Sequence, residues 1–265
     1  MHPMLNTAVK AARSAGKIIM RHSHELDRLT VETKGRNDYV SQVDERAEAI
    51  IIDVIRKTYP EHAIHAEESG RHSGDEFEWI IDPLDGTTNY LHGYPQYAVS
   101  IAVHHQGKPY QAVVFDPVRD ELFTASRGGG AQLNDRRIRV SSVTQLDGAL
   151  LATGFPFKSM AFLEPWIETF RVLLPRTSGV RRAGSAALDL AHVACGRLDG
   201  FWEFGLKPWD MAAGCLLIEE AGGRVGDFAD QNNFLVSGNL VAGNPKIYAE
   251  VLRLIEPCLP TELRC

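Results

Sequence analysis

The chain has 265 residues, 44% of them hydrophobic and 23% charged, proportions that suit a globular protein burying a substantial core. A net charge of -6 and a pI near 5.9 argue against a dedicated nucleic-acid surface, so no direct nucleic-acid binding is expected. No apolar run approaches the roughly 18 residues of a membrane span, so no membrane association is expected either.

In chain order, MHPMLNTAVKAARSAGK lacks the charged-then-apolar layout of a signal peptide. Leu5, Val9, Ala12, Ile18 and Ile19 recur there at near-helical spacing. A second helix is predicted after Asp44, with Val43, Ala47, Ile50, Ile51, Val54 and Ile55 on one face before TYP ends it. HAIHA and EWIID read as short strands, and QYAVSIAVHH and PYQAVVFDP as neighbouring strands joined at QGK. ELFTASRGGGAQLN continues in the same strand-and-turn manner. From about Leu150 the pattern alternates, with helices predicted at Phe162–Leu173, Ala186–Cys195, Trp209–Glu220 and Ile247–Leu254 and strands at GFWEF, GRVGDF and NLVAGN. The reading is α/β of the α+β type: an N-terminal portion, residues 1–147, and a C-terminal portion, residues 148–265, forming one compact catalytic unit. Cys195, Cys215, Cys258 and Cys265 stand far apart with no C-x-x-C pair. This spacing suits reduced thiols in a cytoplasmic protein better than a disulfide framework or a zinc site.

The chemistry concentrates in WIIDPLDGTTNY, Trp79 to Tyr90. Pro83 fixes one backbone angle and donates no hydrogen bond, so the strand is predicted to break just after Asp82. Gly86 permits a turn or a close ligand approach, and Thr87 and Thr88 then open a helix with free N–H groups. Asp82 and Asp85, so close together, repel each other unless a cation or a shared proton intervenes. All-oxygen ligands favour a hard ion such as Mg²⁺, and a helix start beside it supplies donors for a phosphate. Further acids lie in HAEESG, where Glu67 and Glu68 end a short strand, and in KPWDMAAG, where Asp210 starts a helix. Each has an ordinary alternative, a solvated pair for the former and a helix-dipole acid for the latter, and spacing alone does not bring the three segments together.

EES, WIIDPLDGTTNY and KPWDMAAGCLLIEEAGG together resemble the inositol monophosphatase family. The resemblance extends through KGRNDYVSQVD, GAQLN, ATGFPF and RRAGSAALDLAHVACGRLDGFWE, nearly the whole chain, and is nearest to the bacterial SuhB-type branch. It implies a layered αβαβα sandwich and a lithium-sensitive phosphatase that hydrolyses myo-inositol 1-phosphate and related polyol phosphates with two to three Mg²⁺ ions. By resemblance, Glu67, Asp82 and the Leu84 carbonyl hold one ion, and Asp82, Asp85 and Asp210 a second. Gly86, Thr87 and Thr88 meet the phosphate. Thr87, backed by Asp44, and Glu67 orient the attacking water. Asp85, Gly184, Ser185, Ala186, Glu203 and Asp210 meet the inositol, and Lys34 matches a lysine near the phosphate. The fourteen residues between Glu67 and Asp82 are a short version of the family's loop and bear on substrate breadth.

The family's usual homodimer is implied as well, with Arg181 and Arg182 either solvated or at the subunit interface. The SuhB-type branch also implies a partner in the transcription machinery, through antitermination on ribosomal RNA operons. A third alternative is a nucleotide or sugar bisphosphate phosphatase of the same superfamily. Other features have plainer readings. RGGGAQLN lacks G-K-[ST] and is a turn between strands. His104 and His105 face solvent or cap a turn, His22, His24, His62 and His65 show no zinc-protease spacing, and Trp202 and Trp209 pack.

Overall fold

The computed structural model describes residues 2–26, 31–35, 38–156 and 159–263. Helix α1 (Pro3–His22) begins at a proline, which has no N–H to leave unpaired, and His2 Nδ1 accepts from the Met4 N–H at 3.2 Å. An antiparallel hairpin follows, β1 (Val31–Gly35) with β2 (Asp38–Ser41), where periodicity predicts no strand. Lys34 lies in β1, and its side chain is outside the described residues. Helix α2 (Gln42–Thr58) starts slightly earlier than the predicted boundary, because Ser41 and Asp44 form a capping box. Asp44 is thus inside the first turn, and its carboxylate accepts from the Ser41 N–H at 2.8 Å and the Ser41 hydroxyl at 2.6 Å.

The chain then builds an eight-stranded sheet from β3 (Ala63–Ala66), β4 (Gly70–His72), β5 (Phe77–Asp85), β6 (Ala98–His105), β7 (Lys108–Asp116), β8 (Glu121–Ser126), β9 (Gly130–Leu133) and β10 (Arg136–Arg137), with the short helix α3 (Thr87–Leu91) after β5. Its order is β10-β9-β8-β7-β6-β5-β3-β4. Neighbours are antiparallel except β3 and β5.

The remainder alternates strands and helices: β11 (Leu150–Thr153), α4 (Leu163–Leu173), β12 (Gly179–Arg181), α5 (Ala186–Ala194), β13 (Gly200–Glu203), α6 (Pro208–Glu220), β14 (Arg224–Gly226), α7 (Phe234–Ser237), β15 (Leu240–Gly243) and α8 (Pro245–Ile255). The five strands form a mixed sheet, β12-β11-β13-β15-β14, in which β11 runs parallel to β12 and β13 while β15 is antiparallel to β13 and β14.

Side-chain alternation along β6 shows how the layers stack. Val99, Ile101 and Val103 pack with α1 and α2, whereas Ala98 and Ala102 share a core with α5 and α6. That second core continues into the five-stranded sheet through Phe201 and Ala242. On the far face, Leu151, Trp202 and Val241 pack with Trp166 and Leu173 of α4 and Ile247 and Val251 of α8. The result is an αβαβα sandwich, as the resemblance implies. Helix α6 is buried along most of its length, Met211 to Ile218, as a helix covered by sheets on two sides must be.

Two expectations need correction. Strand β5 does not end at Asp82; it runs through Pro83 to Asp85, with an irregularity that absorbs the missing proline N–H. His104 does not face solvent: it is 3% exposed, and burial lowers its imidazole from 6.5 to about 4. Trp202 is fully buried, as the packing reading expects. Among the described residues, no helix is long and apolar enough to cross a membrane.

Candidate active site

The irregularity in β5 decides where the central acids point. Asp82 pairs with Ser100 and Asp85 with Ala98, so three steps on β5 oppose two on β6. In a regular strand residues three apart face opposite sides. The extra residue restores the parity, and Asp82 and Asp85 turn to the same side. Pro83 has no N–H to pair, and the Leu84 N–H donates to Asp82 Oδ1 at 3.0 Å. Gly86 then takes a left-handed conformation, φ 96°, as the N-cap of α3. A Cβ there would lie 2.9 Å from the Gln96 carbonyl oxygen, so both φ and space favour glycine.

Helix α2 fixes the turn from outside. The Thr87 hydroxyl lies 3.0 Å from Asp44 Oδ1 and 3.1 Å from the Leu84 carbonyl oxygen and donates to that pair. Its proton thus committed, Thr87 presents lone pairs to the cavity. One turn along α2, the buried Glu48 accepts from the N–H groups of Glu68 and Ser69, both at 2.8 Å. Asp44 and Glu48 together hold two segments of the site at the spacing of one helical turn. Neither the sequence motifs nor the resemblance singles out Glu48. The available signal is its position on the buried stripe Val43, Asp44, Ala47, Glu48, Ile51 and Ile55, where an unpaired carboxylate would be costly.

The C-terminal portion closes the site. Asp210 caps the first turn of α6 by accepting from the Lys207 N–H at 2.6 Å. One carboxylate oxygen from each of Asp82, Asp85 and Asp210 lies within 4.8 Å of the others. Burial, with Glu67, Asp85 and Asp210 around it, pushes Asp82 well above the usual carboxylate range. Three acids so placed repel one another, and a cation between them turns that repulsion into attraction. Asp85 Oδ2 also accepts from the Ser185 hydroxyl at 2.6 Å and the Ala187 N–H at 2.7 Å, pinning the start of α5 against β5. Asn89 Nδ2 donates to the carbonyls of Gln96, Ala183 and Gly184, a second tie between the two sheets that sequence reasoning missed.

These residues line one cavity of about 970 Å³. Glu67, Asp82, Leu84, Asp85, Gly86, Thr87, Thr88, Gly184, Ser185, Ala186, Glu203 and Asp210 all border it, and Asp44 reaches it through Thr87. Arg182 borders it as well, its guanidinium 4.8 Å from the Phe155 ring centre. Glu203 lies so close to the β11 end that a Cβ on Gly154 would stand 1.9 Å from its Oε1. Burial, together with Asp210 and Asp189, raises Glu203 well above the carboxylate range. Asp189, on α5, also lines the cavity and was not anticipated. Its helix is apolar on nearly every side, and a lone acid in such a run is its only sequence signal.

Residues 1–259 match the family model described as the inositol monophosphatase family. A Pseudomonas aeruginosa protein named "Nus factor SuhB" is 53% identical over the full length of both chains. Among solved structures, the extragenic suppressor protein suhB of Bartonella henselae superposes with a TM-score of 0.94 at 45% identity, covering 96% of this chain and 99% of that one. An inositol monophosphatase from Anabaena superposes with a TM-score of 0.84 at 39% identity, covering 98% and 97%. With its layered fold and its acidic cavity between two sheets, the chain belongs to the inositol monophosphatase family.

Proposed function

We propose that the protein is a Mg²⁺-dependent phosphomonoesterase that hydrolyses inositol 1-phosphate and related polyol phosphates. The observation that carries this reading is the convergence of Asp82, Asp85 and Asp210 within 4.8 Å beside the anchored Thr87 hydroxyl. The donor set is all oxygen, which fits Mg²⁺. In this reading Glu67, Asp82 and the Leu84 carbonyl would hold one ion, and Asp82, Asp85 and Asp210 another. Bound there, such ions supply charge neutralisation of the phosphate, acidification of a water and stabilisation of the departing alkoxide.

The chain's own groups do the rest. Thr87, whose proton is engaged by Asp44 and Leu84, accepts one hydrogen of the attacking water, and Glu67 takes the other. The N–H groups of Gly86, Thr87 and Thr88, at a helix start, meet the phosphate oxygens. Gly184, Ser185, Ala186 and Glu203 form the wall against which the alcohol lies. Phosphate release from inositol 1-phosphate, fructose 1,6-bisphosphate and 3′-phosphoadenosine 5′-phosphate, with and without Mg²⁺, tests the reading. Release should be Mg²⁺-dependent, highest with inositol 1-phosphate and lost in Asp82→Asn. Preference for either bisphosphate assigns the chain to a different substrate class, and near-normal turnover by Asp82→Asn overturns the site assignment.

A second reading rests on the name "Nus factor SuhB" of the Pseudomonas aeruginosa relative, which matches this chain over its full length. In it the protein binds a component of the transcription machinery and keeps the phosphatase site besides. Affinity capture with wild type and Asp82→Asn, each with and without Mg²⁺, separates the roles. Equal capture of a transcription component by both proteins supports binding independent of catalysis, and its absence from all four samples contradicts it.

A further inference from the structure

We propose that Asp189 is a specificity-determining residue: it accepts a hydrogen bond from a hydroxyl of the leaving alcohol and so favours phosphomonoesters of polyols over those of alcohols with no second hydroxyl. The inference rests on the hydrolytic reading above and adds a residue to its substrate wall.

Asp189 is 3% exposed, yet it borders the cavity. It stands on α5 one helical turn beyond Ser185, which caps that helix and binds Asp85. Among the described residues, none donates a hydrogen bond to its carboxyl. This is unusual, because buried polar groups are nearly always paired. Other buried acids of this protein follow the rule. Asp44 and Glu48 each accept backbone N–H groups. Asp116 accepts from the Val118 and Arg119 N–H groups, Asp199 from that of Leu150, and Asp227 from those of Ala229 and Gln231. Asp44, Asp116 and Asp227 close a cap or turn, and Glu48 and Asp199 tie together segments distant in sequence. Asp189 does neither and borders the substrate cavity, so its donor comes from what the cavity holds.

The surroundings select the kind of donor. A carboxylate offers acceptors only. Glu203, on the neighbouring wall, likewise receives no hydrogen bond from a described residue. Asp85 and Glu203 are the acids whose charges bear on Asp189 or respond to it, and Arg182 is the cation that opposes them. Two acceptor groups on one wall fit a neutral surface rich in O–H donors, which is the face of a polyol.

The test compares kcat/KM for inositol 1-phosphate with kcat/KM for p-nitrophenyl phosphate, whose leaving group has no hydroxyl to donate. Asp189→Ala should lower the ratio of the two by about tenfold, mainly through KM for inositol 1-phosphate, as expected for loss of a buried hydrogen bond. Asp189→Asn, which keeps the shape and one acceptor oxygen, should lower it less. A ratio unchanged in both variants overturns the proposal, whether or not the two activities fall together, since a purely structural role weakens both substrates alike. If wild type hydrolyses neither ester, the hydrolytic reading has failed and calorimetric titration with inositol 1-phosphate decides for Asp189. Binding about tenfold weaker in Asp189→Ala then supports the contact, and equal affinity overturns it.

Discussion

Two groups of acids in and around the cavity differ in what surrounds them. On the side of the eight-stranded sheet, Asp44, Glu48 and Asp85 are each held by donors of the chain itself: Ser41 and Thr87 for the first, the Glu68 and Ser69 N–H groups for the second, Ser185 and Ala187 for the third. On the side of α5 and β13, Asp189 and Glu203 receive no hydrogen bond from a described residue. An acid saturated by the backbone has done its work once the chain has folded, because its geometry is fixed and its charge dispersed. An acid left without donors in a half-closed cavity still needs a partner from outside. The first group orders the site, and the second reads what enters it.

The comparison breaks most visibly at Asp44. Asp44→Ala removes the acceptor that holds Thr87 and the partner of the Ser41 cap together. Phosphate release should fall by about a hundredfold or more, the scale of a lost positioning contact in a catalytic site. Helix stability should drop by about 1 kcal/mol, readable as a lower urea midpoint. Normal turnover with that variant would separate Thr87 from the chemistry.

At Gly154 the wall side can be disturbed alone. The added methyl of Gly154→Ala would stand 1.9 Å from Glu203 Oε1, so the carboxyl must move. KM for inositol 1-phosphate should rise by roughly tenfold, while the melting temperature stays near that of wild type, as expected when one charged contact to substrate is lost. A large loss of stability with unchanged KM would place Glu203 among the structural acids instead.

Glu48 tests the opposite side. Glu48→Ala leaves the Glu68 and Ser69 N–H groups without their acceptor, at a cost of about 1–3 kcal/mol in unfolding free energy. Glu48→Gln keeps one acceptor oxygen and should fall between, in denaturant titration and in phosphate release alike.

The last effect lies outside the cavity. Burial lowers His104 from 6.5 to about 4, so between these values the unfolded chain binds the proton and the folded one does not. Stability is therefore complete above about pH 6.5 and declines as pH falls toward about 4, by on the order of 1–3 kcal/mol for this group. His104→Gln should narrow the difference in melting temperature between neutral and acid pH. His192, also lowered by burial to about 4, contributes in the same direction and remains in that variant.

Much of the architecture is legible in the sequence because it follows from periodicity. The apolar stripe of α2 and the apolar runs of β6, β7 and α6 each declare their element. What escapes is set by pairing between distant segments. The hairpin β1–β2 has no apolar pattern, and β12 is short and half-exposed. The course of β5 through Pro83 depends on its register with β6, which composition does not encode. That register matters, because it turns Asp82 and Asp85 to one side, where motif spacing records only that they are close in sequence. Glu48 and Asp189 are hidden for a related reason. Glu48 is one of several acids in α2, distinguished only by lying on the buried stripe, and Asp189 is the single acid of α5; the meaning of each comes from a neighbour many residues away.

The central claim is that the acids of the cavity assemble a site for a divalent cation and a phosphate monoester. Phosphate release from inositol 1-phosphate, measured with wild type and Asp82→Asn over a range of Mg²⁺ concentrations, tests it most directly. The predicted result is negligible release without the ion, a saturable rise with it, and almost none from Asp82→Asn at any concentration. Release that is indifferent to Mg²⁺, or that survives in Asp82→Asn, would contradict it.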